Sequence, residues 1–185
     1  MSIEIKLTEI LSKHLKFPDS ANIQQRGIAD KLEDACNTLI KEHFDNVTIA
    51  SSRRSIEDIS IGDAYLDHKS SDQALKFKMP NMISIDRLRK LDRPLIYNFI
   101  IYNSSKGEII KTLAMDVYEL NWDHLAIQNL GKGQLQIKNM EEFLKSPKTA
   151  LSKEEWITKL KTEAIKFYEN LKKKTDKNIQ DWKNT

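Results

Sequence analysis

Cysteine is almost missing from this chain: Cys36 is the only one in 185 residues. A single thiol excludes an intrachain disulfide framework, and no Cys/His zinc spacing is present either, so a reducing compartment is expected. Long apolar runs are missing too. The most hydrophobic stretch, 94–102 (PLIYNFIIY), is too short to cross a bilayer. The opening MSIEIKLTEI alternates charged and apolar residues where a signal peptide would carry an apolar core. A cytoplasmic protein with no membrane partner is the expectation. HExxH and P-loop motifs are absent, which removes zinc-protease chemistry and a nucleotide cofactor from consideration. There is no internal repeat and no low-complexity linker. Nor does one sign of charge dominate: 30 Lys and Arg stand against 27 Asp and Glu, a net +3. That balance permits a nucleic-acid partner, but any basic footprint must come from placement.

What is present fits one soluble domain over residues 1–185, with 31% charged and 39% hydrophobic residues. Ile3, Leu7, Ile10, Leu11 and Leu15 form a helical stripe that ends near Pro18, a helix suited to packing or dimerisation. Ile28, Leu32, Ala35, Cys36, Leu39 and Ile40 predict a second helix from about Gly27 to Phe44, with Cys36 a small core hydrophobe. Glu33 falls at the edge of that stripe. Val47–Ala50 reads as a strand, Pro94–Tyr102 as a central strand buried on both faces, and Glu108–Tyr118 as its neighbour. Ser152-Lys153-Glu154-Glu155 is a capping box that opens a helix reaching about Lys174. The fold class expected is α/β, with a mixed central sheet flanked by helices.

The stretch SIEDISIGDAYLDHKSSD, 55–72, carries the chemistry. Two alternating runs, Ile56–Ile61 and Ala64–Lys69, are joined by Gly62-Asp63, and a two-residue Gly-X connection predicts a hairpin with a type II′ turn. With that loop, Ile61 faces Ala64, Asp58 faces Asp67 and Ile56 faces Lys69. Asp58, Asp67 and Lys69 then share one face, and opposed carboxylates are unfavourable without a compensating cation. Surface hairpins often carry scattered Asp and Lys. Ile56, Ser60 and Tyr65 on the same face fit the floor of a cleft better than a solvated surface.

The order Asp58…Asp67-His68-Lys69 resembles the signature of the PD-(D/E)XK nucleases, in which the first acid and the D/E-x-K lie on adjacent hairpin strands. Glu57 stands where that family usually has proline before the first acid, and the hairpin pairing favours Asp58 over Glu57 as the first ligand. RGIADKLEDACNTLIKEHF and KFKMPNMISIDRL are similar to segments of the EcoRV/HincII-type type II restriction endonucleases. The resemblance implies a restriction-endonuclease-like fold with an N-terminal helix and DNA-approach or dimerisation region (1–26). It also implies a catalytic core with a recognition hairpin (27–140) and a C-terminal helix with a basic tail (152–185). It implies Mg²⁺ held by Asp58, Asp67 and the His68 backbone carbonyl, with Lys69 and Glu33 assisting hydrolysis of double-stranded DNA by a homodimer. A monomeric nicking or repair nuclease of the same fold, and a non-catalytic DNA-binding module, are the alternatives.

Candidate DNA contacts fall in three places. Gln25 and Arg26 close a polar loop before the second helix. Lys76 and Lys78 precede a helix expected from about Asn81 to Leu91, with Asn81 and Ser84 at its N-terminal end. Gln128, Asn129, Lys132, Gln134, Gln136 and Lys138 surround a Gly131-Lys132-Gly133 turn between two short polar-alternating strands. Gln and Asn can pair bidentately with adenine, and Lys with the guanine acceptors of the major groove.

Overall fold

A strand buried along its whole length sets the architecture. The computed structural model describes residues 2–19, 25–50, 56–75, 80–128 and 133–184. In it every residue of β5 (Leu95–Asn103) is buried. β5 pairs in parallel with β3 (Ala64–Asp72) and antiparallel with β6 (Glu108–Asp116). β3 is joined by the hairpin to β2 (Ile59–Ile61), which pairs with β1 (Val47–Ile49), giving a mixed five-stranded order β1-β2-β3-β5-β6.

Alternation along β5 divides the core in two. Ile96, Ile100 and Tyr102 face α1 (Ile3–His14) and α2 (Gln25–His43), together with Leu7, Leu11, Leu32, Cys36 and Ile40. Cys36 is buried there as the helical stripe predicts, and burial pushes its thiol up to about 12. Leu95, Tyr97, Phe99 and Ile101 face the opposite layer. α1 also covers the β6 edge, where Thr8 Oγ1 accepts the Ala114 N–H at 3.0 Å.

The opposite layer contains a second sheet: the hairpin expected on either side of residues 131–133 supplies two of its strands, and the third is unexpected. β4 (Asn81–Ser84), β7 (Leu125–Gln128) and β8 (Gln134–Ile137) form an antiparallel sheet in the order β4-β8-β7. The helix expected over 81–91 is therefore corrected: its first turn is strand, and only α3 (Ile85–Leu88) is helical. Tertiary pairing overrides propensity here. Asn81 and Ser84 pair with Gln136 and Gln134, and the Ile83 N–H donates to Tyr97 Oη at 2.9 Å. The Ser84 hydroxyl caps α3 by accepting the Arg87 N–H. α4 (Met140–Lys145) follows, and then α5 (Lys153–Lys183), whose capping box forms as predicted. α5 docks through Trp156, whose Nε1–H donates to the Leu120 carbonyl at 2.8 Å, and continues past its expected end near Lys174. The architecture is mixed α/β, a mixed central sheet with helices on both sides. Among the described residues no helix is long and apolar enough to cross a membrane.

Candidate active site

The hairpin closes as its sequence predicts. Gly62 takes the positive φ of +55° that a side chain would resist, and Ile61↔Ala64, Ser60↔Tyr65 and Ile59↔Leu66 are the paired residues. The next expected pairs, Asp58 with Asp67 and Ile56 with Lys69, do not form as ladder pairs. The Asp58 N–H donates to the Leu66 carbonyl at 2.9 Å, and its own carbonyl accepts the Ala50 N–H at 3.0 Å. Held from both sides, Asp58 leaves the ladder, and its Oδ2 accepts the backbone N–H of His68 at 2.7 Å. The first acid thus reaches the second strand through its carboxylate.

Asp67 and Lys69 project from the face of β3 that meets the second sheet. Lys69 Nζ donates to Asp67 Oδ1 at 2.6 Å, and Asp67 is only 8% exposed. Burial pushes the Asp67 carboxyl up to about 7, against the pull of Lys69. Asp58 adds to that rise as a like charge and as a hydrogen-bonding neighbour. Tyr97, paired in register with Asp67, has its phenol raised by burial and then by the Asp67 charge. Glu33 on α2 shares the field. Burial raises its carboxyl, Asp58, Asp30 and Asp34 raise it further, and Lys69 lowers it. Asp58 and Lys69 therefore act on both Glu33, from α2, and Asp67, from β3.

The His68 side chain points to the other face. Its Nε2–H donates to Asn37 Oδ1 at 3.1 Å, and its Nδ1 accepts from Asn98 Nδ2 at 2.9 Å. That pattern defines a neutral imidazole, and burial accordingly pushes its pKa down to about 4. The backbone of His68 faces the edge left open where β2 stops. The Leu66 carbonyl and the His68 N–H both point toward β2. In an extended strand the carbonyl and amide of one residue share a side, so the His68 carbonyl points there too. The Asp58 carboxylate sits at that edge on the His68 N–H, with the Asp67 carboxyl as its hydrogen-bonding neighbour. Among the described residues no group of three or more His, Cys, Asp and Glu side chains is placed to hold a metal. A donor set of two carboxylates and a carbonyl, completed by water, suits a hard cation such as Mg²⁺. The raised Asp67 carboxyl gives such a cation electrostatic work to do.

The second sheet presents the other predicted residues. Leu135 and Ile137 are buried, while Gln134 and Gln136 alternate with them on the opposite face. Pairing adds Gln128 beside Gln134 and Asn81 beside Gln136, whose Nε2 donates to Asn81 Oδ1 at 3.4 Å. Lys138, exposed at the end of β8, continues the same alternation. Ser84 lies opposite Gln134, with its hydroxyl turned to the α3 cap. Tyr97 joins this sheet to the acid cluster, since its hydroxyl accepts from β4 while its ring centroid lies 6.0 Å from Lys69 Nζ. Lys76, Lys78, Asn129 and Lys132 lie outside the described residues, as do the side chains of Gln25 and Arg26.

Sequence reasoning missed Tyr97, Asn98 and Asn37. A signal existed in Asn98, an amide inside an otherwise apolar strand, since buried polar groups need partners. No protein-family model matches the chain, and a search of curated proteins finds no match either.

Proposed function

We propose that this protein is a Mg²⁺-dependent, sequence-specific endonuclease of double-stranded DNA, of the PD-(D/E)XK class and the type II restriction kind, acting as a homodimer in the cytoplasm. The observation that carries the reading is Asp67. It is a buried carboxylate pushed up to about 7, with Asp58 as a like charge and Lys69 at 2.6 Å. Such an arrangement is unfavourable for folding alone and favourable for holding a divalent cation. Asp58, Asp67 and the His68 carbonyl would hold Mg²⁺, and on this reading the central mixed sheet would be the restriction-endonuclease-like core. When bound, Mg²⁺ supplies Lewis acidity toward the scissile phosphate and acidifies a water. Lys69 orients the attacking water and offsets charge gathering on the phosphate oxygens in the transition state. Glu33 adjusts the field around Asp58 and Lys69. The amide-bearing face of β4, β8 and β7 would lie in the major groove, where Gln and Asn favour adenine.

Digestion of phage or plasmid DNA with Mg²⁺ or with EDTA, alongside Asp67→Ala, tests this. Discrete fragments are expected only with Mg²⁺ and the intact site, and Asp67→Ala should still shift DNA on a gel in Ca²⁺. Lys69→Ala should slow cleavage by about 10²–10³-fold, the cost of losing one donor aimed at developing charge. Single-strand nicks alone would favour a monomeric nicking enzyme. Intact DNA with a retained gel shift would make the protein a non-catalytic binding module, and cleavage by Asp67→Ala would refute the site.

A further inference from the structure

α5 is 31 residues long, about 46 Å at 1.5 Å per residue, and the body covers only its first half. Ile157, Leu160, Ala164 and Phe167 pack on the core; beyond them every residue except Leu171 is exposed. A second stripe runs beside the buried one. Ile165, Tyr168, Lys172, Thr175, Ile179 and Trp182 recur at alternating spacings of three and four, the repeat of a coiled-coil seam. Its apolar members are openly exposed, Ile165 at 60%, Ile179 at 46% and Trp182 at 81%. Lys173, Lys174 and Lys177 fall between seam positions, on the solvated side. At its body end the seam opens into an apolar groove of about 470 Å³ lined by Ile85, Leu88, Leu91, Ile157 and Leu160.

We infer that the exposed half of α5 is a self-association surface. It pairs antiparallel with α5 of a second copy and seats that copy's Trp182 in the groove beside Ile165. The register follows from the seam. A two-fold axis between Lys173 and Lys174 sets Ile165 against the second copy's Trp182, Tyr168 against its Ile179, and Lys172 against its Thr175. Parallel pairing would oppose Lys172 to itself in the seam, a like-charge contact. The antiparallel register sets Lys172 beside the second copy's Asp176, so charge selects the orientation. The occupant is a second copy because the knob, an indole that buries about 150–250 Å², and the groove lie at opposite ends of one self-complementary stripe.

Sedimentation equilibrium of the full chain at micromolar concentration, without DNA or metal, tests this independently of any nuclease activity. A dimer is expected, and Trp182→Ala and Ile179→Asp should each weaken it by at least about tenfold, as loss of an anchoring interface residue does. Both side chains are exposed, so circular dichroism and Tm of the monomer should not change. The double variant Ile165→Cys/Trp182→Cys should form covalent dimers on oxidation, while Trp182→Cys alone should not; buried Cys36 stays silent. A monomer at every concentration overturns the proposal, as does a dimer that survives both substitutions. If the variants instead change only retention on DNA, the overhang is a nucleic-acid surface and the inference fails.

Discussion

β3 holds two buried aspartates in opposite circumstances, one within the strand and one at its C-terminal end. Asp72, 3% exposed, accepts the Ala74 N–H at 3.0 Å, the Ser104 N–H at 3.1 Å and the Ser104 hydroxyl at 2.5 Å. Its charge is met by three donors fixed by the chain, and it clamps β3 to the turn after β5. Asp67, five positions earlier, has Lys69 as its donor and the carboxylate of Asp58 as a neighbour. A buried acid with fixed donors is structural. A buried acid facing another acid across an open strand edge is a candidate for binding a cation. One strand thus carries both kinds, and the difference lies in the partners rather than in the depth of burial.

Activity should separate the two most strongly. Asp67→Asn keeps the shape and removes the charge, so Mg²⁺-dependent cleavage should fall below detection. Asp72→Asn should leave cleavage within several-fold of the parent once the variant is folded. A plasmid-cleavage time course decides it; comparable loss in both would dissolve the distinction.

Stability should separate them with opposite signs. The Asp67 carboxyl titrates near 3.8 in the unfolded chain and at about 7 in the folded one. Between those values the folded state holds a proton that the unfolded state has released, so stability falls as pH rises through the window. At pH about 8, Asp67→Asn should therefore be more stable than the parent by a few kcal/mol, and below pH about 4 the two should converge. Ca²⁺ should raise the Tm of the parent at pH about 8 and not that of Asp67→Asn, since the bound cation relieves the same repulsion. Asp72→Asn should cost about 1–3 kcal/mol, because an amide cannot accept from all three donors. Urea unfolding of both variants beside the parent reads the signs; a shared sign would mean that the two acids are equivalent.

The hairpin was legible because its determinants are local: the Gly62-Asp63 turn and period-two alternation give the register through Ile59↔Leu66. The acid cluster was legible for the same reason, since Asp67 and Lys69 lie two apart on one strand. The departure of Asp58 from the ladder was not, because it depends on Ala50, the residue after β1, a neighbour that no spacing within the hairpin reveals. β4 was misread as helix for a related cause. IDRL does form a helix, but NMIS is drawn into a strand by Gln134 and Gln136, some fifty residues away. Asn37, Asn98 and His68 meet only when α2, β3 and β5 are packed together. Local patterning specified the elements, and their burial in two layers specified the contacts that patterning could not.

The neighbours Asp67 and His68 titrate in opposite senses. The His68 imidazole is pushed down to about 4 when folded, from an ordinary value of 6.5. Between these the unfolded chain binds a proton that the folded one refuses, so stability rises with pH through that window. Asp67 imposes the reverse slope over about the same range. Each amounts to at most one proton, about 1.4 kcal/mol per pH unit, so in the parent the two contributions oppose each other across that window. Only the Asp67 decline then remains, up to about pH 7. Asp67→Asn removes one of the two opposing slopes, and its stability should climb with pH across the acid window and then level off. Urea unfolding at intervals across that range would show the climb. A flat profile for Asp67→Asn would mean that His68 takes up its proton in the folded state, and that the neutral imidazole bridging Asn37 and Asn98 is not what joins α2 to β3.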